Sequence, residues 1–145
     1  MRRNWWAIIL SLGLAVAPAR AEEFPSKPWP FTAAFMGTGR LCYGGLYLRE
    51  KTISWLIPYS QCQRVPFDVI EQWGEGNERN IVFRLKHKPP NCRFEVIYLT
   101  HNSDPDFGIR WQAGGYVNEA AYLRAKQSKW RDITRDALWC SLYVP

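Results

Sequence analysis

Histidine is scarce in this 145-residue chain, with only His87 and His101, and methionine is equally rare. Imidazole-based acid–base chemistry therefore has at most two places to reside. There is no C-x-x-C pair, which excludes the usual dithiol redox motif and the paired-cysteine zinc modules. Serine catalysis on an α/β-hydrolase elbow lacks its G-x-S-x-G, and no glycine-rich phosphate loop is complete: Gly37-Thr38-Gly39 and Gly74-Glu75-Gly76 stop short and precede strand-like residues. Internal repeats, low-complexity tracts and blocks of like charge are missing as well. With charged residues at 22% and hydrophobic residues at 47%, global disorder is excluded, and the length suits one domain.

The N-terminus has a marked pattern. Met1-Arg2-Arg3 is positive, Trp5 to Ala17 is apolar apart from Ser11 and Gly13, and Ala19-Arg20-Ala21 has small residues flanking one position ahead of Glu22. This order is that of a cleaved secretory signal, 1–21. The apolar run is shorter than the roughly 20 residues a spanning helix needs and ends in Pro18. No stable membrane anchor is expected after cleavage. Export places the product in the periplasm of a Gram-negative bacterium, or outside the cell otherwise. Loss of Arg2, Arg3 and Arg20 lowers the formal charge from +6 to +3 over 124 residues. The remaining basic residues are scattered, with one cluster at Arg84, Lys86, His87 and Lys88 that reads as a solvated turn. Nucleic acid is not an expected partner.

An exported chain keeps its disulfides, and Cys42, Cys62, Cys92 and Cys140 make two bridges. Three pairings are open. Clamping one strand to the next loop, and the C-terminal segment to the sheet, favours Cys42 with Cys62 and Cys92 with Cys140.

Residues 22–34 carry three prolines and read as an extended lead-in whose Phe24, Trp29 and Phe31 dock on the domain or meet a partner. Residues 35–145 read as a single disulfide-stabilised β domain. Arg40 to Leu48 has strand texture around Gly44-Gly45, a bend signal. In Thr52 to Ile57, Ile53, Trp55 and Ile57 alternate onto one face. After a loop from Pro58 to Pro66, strands are expected at Phe67 to Trp73, Asn80 to Lys86 (Ile81, Phe83 and Leu85 inward), Cys92 to Thr100, Ile109 to Ala113 and Leu138 to Val144. The Cys92–Thr100 strand is apolar on both faces, which marks it as central. Asn118 caps a short helix rich in alanine. The sum is a mainly β fold: a small antiparallel β-barrel or sandwich of about six to eight strands, with one short helix in the C-terminal half.

No cofactor-binding pattern and no metal set is found. His101, Asp104 and Asp106 share the polar stretch 101–108, but the acidic residue that would close a calcium loop is replaced by Gly115. Catalysis is not the expectation. Aromatic residues offer more: 15% of the chain is Phe, Trp or Tyr, more than a small core readily absorbs. The expected binding surface comprises Trp73, Glu75 and Glu78 around one turn, with His101, Asp104, Asp106, Phe107 and Trp111 around another. On these features the chain is expected to be a small exported non-catalytic binding protein, an inhibitor or accessory factor acting on another envelope or extracellular protein. The alternative is a lipocalin-like carrier with a small apolar ligand inside a barrel.

Overall fold

The computed structural model describes residues 32–75, 78–104, 108–130 and 135–145. The expected signal segment, the lead-in up to residue 31 with Phe24 and Trp29, and the candidates Asp106 and Phe107 lie outside them.

Eight strands run in order: β1 (Ala33–Gly37), β2 (Gly44–Leu48), β3 (Thr52–Ile57), β4 (Ser60–Trp73), β5 (Arg79–Leu85), β6 (Val96–Asp104), β7 (Gly108–Tyr116) and β8 (Ala137–Tyr143), with helix α1 (Glu119–Gln127) between the last two. Each strand pairs antiparallel with its neighbour in sequence, and β8 returns to β1 to close a barrel. A barrel, not a sandwich, is therefore the architecture.

Alternation sends one set of side chains inward. Phe35, Leu46, Ile53, Trp55, Phe83 and Ile97 are buried in this set together with Leu99 and Trp111. Trp55 and Phe94 stack at 5.0 Å across the interior. Space for that stack comes from Gly115, where a Cβ would lie 2.7 Å from both rings. The strand expected from the sequence at Ile109 to Ala113 stops before Gly114-Gly115. In fact β7 runs through the pair, because the missing side chains make room for rings on both sides of the sheet: Trp139 lies 3.1 Å from the Cβ position of Gly114.

A second apolar set faces outward from β5 to β8. Val82, Val96, Tyr98 and Tyr116 pack under Ala121, Tyr122 and Ala125 of α1. This cover explains why β6 is apolar on both faces. The helix starts where the sequence places it. Asn118 accepts the Ala121 N–H at 2.8 Å through its side chain, Glu119 stands at the positive end of the helix dipole, and Arg124 and Lys126 stand in the last turn. Ion pairs tie the helix to the barrel wall: Arg84 to Glu119 at 3.6 Å, and Lys126 to Glu71. Exposed pairs of this kind contribute about 0 to 1 kcal/mol each.

Strand β4 carries most of the curvature. Its first half pairs with β3 and its second with β5. One bulge opposite Ser54 puts Arg64 at φ 49°, and the Arg64 N–H donates to the Ser54 hydroxyl at 2.8 Å. A second lies between Val69 and Glu71. Extra residues of this kind bend and twist a strand, which a small closed sheet requires. Pro66, without an N–H, sits at the handover, and its carbonyl accepts the Lys86 N–H at 2.8 Å. The segment Pro58 to Pro66, read from its prolines as a loop, is thus mostly strand. Similarly, Ala33-Ala34, placed in the extended lead-in, begin β1 because they pair with Leu48 and Tyr47.

The disulfides are Cys42 with Cys140 and Cys62 with Cys92, not Cys42 with Cys62 and Cys92 with Cys140. The reason is closure. The β1–β2 loop folds back so tightly that the Cys42 carbonyl lies 2.0 Å from where a Gly37 Cβ would be, and β1 borders β8, which carries Cys140. Cys62 lies among the first residues of β4, beside the turn before β6, where the Gln61 N–H donates to the Asn91 carbonyl at 2.7 Å and the Arg93 N–H to the Ser60 hydroxyl at 2.9 Å. That turn holds Cys92.

Candidate functional site

The antiparallel register lines up outward-facing residues of neighbouring strands into rows. Asn80 of β5 faces Thr100 of β6, Thr100 faces Gln112 of β7, and Gln112 faces Ser141 of β8. Four polar, uncharged side chains thus form one row across four strands, at about 4.8 Å per strand. Two residues nearer the helix the next row reads Val82, Tyr98, Gly114 and Trp139. Trp130, just past the helix, leans on it: its ring lies 5.0 Å from Tyr98 and 6.1 Å from Trp139, tilted 72° to the latter. Between the polar row and this aromatic wall is a groove of about 520 Å³, to which Asn102 also contributes. Among the described residues its lining includes no charged side chain.

The row is held in place. The Tyr98 hydroxyl donates to Asn80 Oδ1 at 2.5 Å, and the Thr100 hydroxyl donates to the same oxygen at 2.8 Å, with Asn102 Oδ1 at 3.2 Å. The Asn80 amide is therefore oriented, its Oδ1 taken by two donors and its Nδ2 turned the other way. Burial, the largest effect, raises the Tyr98 phenol above its usual range; the hydrogen bond with Thr100 opposes this and the charge of Glu71 adds to it. The phenols of Tyr116 and Tyr122 are raised as well, chiefly by burial. All three stay neutral at physiological pH.

Trp130 reaches the wall by an uncommon backbone path. Lys129 and Trp130 have φ of 54° and 64°, left-handed values in two successive side-chain-bearing residues, and the Trp130 N–H donates to the Ala125 carbonyl at 2.8 Å. With the Lys129 N–H donating to the Lys126 carbonyl at 3.2 Å, this is a left-handed cap that ends α1, satisfies two of its last carbonyls and brings the indole back onto the wall.

The residues expected from the sequence to form the binding surface fall into separate places. Trp73, 39% exposed, is on the outer wall, stacked on Tyr98 at 5.6 Å with the Lys126 ammonium 5.8 Å from its ring centre. Glu75 and Glu78 are exposed in the β4–β5 connection. His101 is not in a loop: residues 101–104 continue β6 and pair with β7, with Asp104 opposite Gly108. His101 is 1% exposed and stacks at 4.3 Å on Trp111, itself buried, so neither belongs to a surface. Burial first, and then the charge of Arg79, lowers the His101 pKa below its usual 6.5. Among the described residues there is no group of three or more His, Cys, Asp or Glu side chains able to hold a metal ion.

The basic cluster at 84–88 is dispersed among partners: Arg84 to Glu119, Lys86 to Asp68 at 3.2 Å, and Lys88 to the Val117 carbonyl at 3.3 Å. Sequence reasoning missed Asn80, Thr100, Gln112, Ser141, Trp130 and Trp139. Only the change from Tyr98 to Thr100 to Asn102 on one face of β6 signals the groove locally; the rest depends on register. A wider hollow of about 710 Å³ over Ala33, Tyr47 and Thr52 abuts the point where the described chain begins and lies apart from these features. Compared with known protein families, curated proteins and solved structures, the chain matches none of them.

Proposed function

We propose that this chain is an exported, non-catalytic binding protein that engages a component of the cell envelope or extracellular space through the outer-wall groove. The observation that carries the reading is the uncharged row Asn80, Thr100, Gln112 and Ser141 set against Tyr98, Trp130 and Trp139. A few fixed polar groups beside aromatic surface are the usual makings of a recognition site. The two disulfides accord with an oxidising compartment, and the N-terminal pattern of residues 1–21 with export.

A carrier function is less well supported. A lipocalin-like carrier needs a chamber, and this interior is occupied by Trp55, Phe94, Phe35, Trp111 and Phe83, among others. Strand addition at a sheet edge is also less well supported, since β1 and β8 meet in a short seam, Met36 with Tyr143 and Gly37 with Leu142, that joins the two edges. What remains for recognition is side chains on the wall and in the turns.

The test is recovery of an envelope component by tagged wild type, compared with Gln112→Ala and with Glu75→Gln/Glu78→Gln, all checked for folding by circular dichroism. Loss of recovery in Gln112→Ala, with retention in the turn variant, is expected. The opposite pattern would move the binding surface to the β4–β5 turn and refute the groove.

A further inference from the structure

We infer that the groove takes an uncharged saccharide, the sugar ring lying against Trp130 and Trp139 with its hydroxyls directed to the polar row; this rests on the groove being the contact surface. Three features of the groove lead to it. First, the lining has amide and hydroxyl groups and, among the described side chains, no charge. A charge set against these amides and hydroxyls would lose hydration without a counter-charge from any of the described lining groups, which is costly. Lys126, over Trp73, is paired with Glu71.

Second, the polar groups are of mixed character. Gln112 offers both donor and acceptor, as does the Ser141 hydroxyl, while Asn80 is held in place, its Oδ1 accepting from Tyr98 and Thr100 and its Nδ2 donating to the Glu78 carbonyl at 3.5 Å. Sugar hydroxyls likewise donate and accept at each position. A purely apolar ligand would strand these groups, at about 1–3 kcal/mol for each one left unsatisfied. An extended peptide is read mainly through its backbone at a free strand edge, and the floor of the groove lies on β6 and β7, each paired on both sides.

Third, the opposite wall is aromatic. Trp130 and Trp139 are half-buried, lie at 72° to one another and both line the groove. A sugar ring has apolar C–H faces and a polar rim, and that division matches an aromatic wall standing on a polar floor. The volume, about 520 Å³, is within the range of small-ligand sites.

The experiment is a nitrogen-15 NMR titration of the folded protein with three neutral probes: chitotriose, maltotriose and cellotriose. At least one is expected to shift the side-chain amides of Asn80, Asn102 and Gln112 and the indole N–H signals of Trp130 and Trp139. Gln112→Ala and Trp130→Ala should each weaken that probe about tenfold, equivalent to about 1.4 kcal/mol. Gln112→Ala leaves the core untouched, so its result stands if Trp130→Ala folds poorly. Lys51→Ala, at the far β2–β3 turn, should bind as wild type. If no probe moves these signals at about 10 mM, ten times a millimolar dissociation constant, while recovery of an envelope component still depends on Gln112, the saccharide inference is overturned and the groove remains the contact surface. If neither depends on Gln112, both are overturned.

Discussion

Removing the Cys42–Cys140 disulfide should cost more stability than removing Cys62–Cys92. The β1–β8 seam closes the barrel with only two paired residues on each side, Met36 with Tyr143 and Gly37 with Leu142. It is reinforced by the Thr38 N–H donating to the Ser141 carbonyl at 3.1 Å, and by the bridge. Chain entropy gives the magnitude. The two cysteines are 98 residues apart, for which loop closure predicts about 4.7 kcal/mol. With Cys62–Cys92 intact, a 30-residue separation is already short-circuited, and the effective loop of about 68 residues gives about 4.4 kcal/mol. Cys62–Cys92 alone is worth about 3.6 kcal/mol by the same relation. Paired alanine variants, Cys42→Ala/Cys140→Ala and Cys62→Ala/Cys92→Ala, avoid stray thiols. In urea unfolding the first should lose about 4 kcal/mol, lowering Tm by about 15 °C for a domain of this size. Hydrogen exchange supplies the local readout: the Thr38 amide should lose protection in the first variant and keep it in the second. If the second variant is the less stable, or if Thr38 stays protected when the seam bridge is gone, the assignment of the bridge as the barrel's closure is wrong.

Gly115→Ala puts a methyl 2.7 Å from the Phe94 and Trp55 rings and should destabilise by about 1–3 kcal/mol, measured by urea midpoint; Gly114→Ala, with 3.1 Å to Trp139, should cost less, and the reverse order would refute the account of the interior stack. His101 has a folded pKa below 6.5, so the unfolded chain binds its proton first as the pH drops, and stability should decline from about pH 6.5 downward until the folded pKa is passed. Unfolding from pH 7.5 to 5 should show this slope in wild type and a shallower one in His101→Gln; equal slopes would refute it. Asn118→Ala removes the cap on the Ala121 N–H and should cost about 1 kcal/mol, with faster exchange confined to the first turn of α1.

The strands and the helix were largely legible because their signals are local. Ile53, Trp55 and Ile57 alternate, as do Ile81, Phe83 and Leu85, and all six point inward. Asn118 before Glu119 announces its helix. What was illegible depends on which strands meet. Two alanines at 33–34 have no strand signature of their own and become β1 only by pairing with β2. The polar run from His101 imitates a loop, yet the hairpin extends through it because β7 supplies backbone partners as far as Gly108. The groove is the extreme case: Asn80, Thr100, Gln112 and Ser141 span more than 60 residues of sequence and become neighbours only through three registers. Pairing of the cysteines failed for the same reason, since no spacing rule reports that the first strand will lie beside the last.

The up-and-down order of the barrel also sets an expected course for its assembly. Of the eight strand pairings, seven join neighbours in sequence and one joins β1 to β8. Hairpins such as β2–β3 and β3–β4 have short connections and can form within microseconds, whereas the closing seam must wait for the whole ribbon to curl. Until it closes, two strand edges and the inner rings of Trp55 and Phe94 face the solvent at once, which is the state most open to association with another unfinished chain. Oxidation of Cys42 with Cys140 therefore marks the end of that vulnerable interval, and its timing can be followed directly by trapping thiols during refolding.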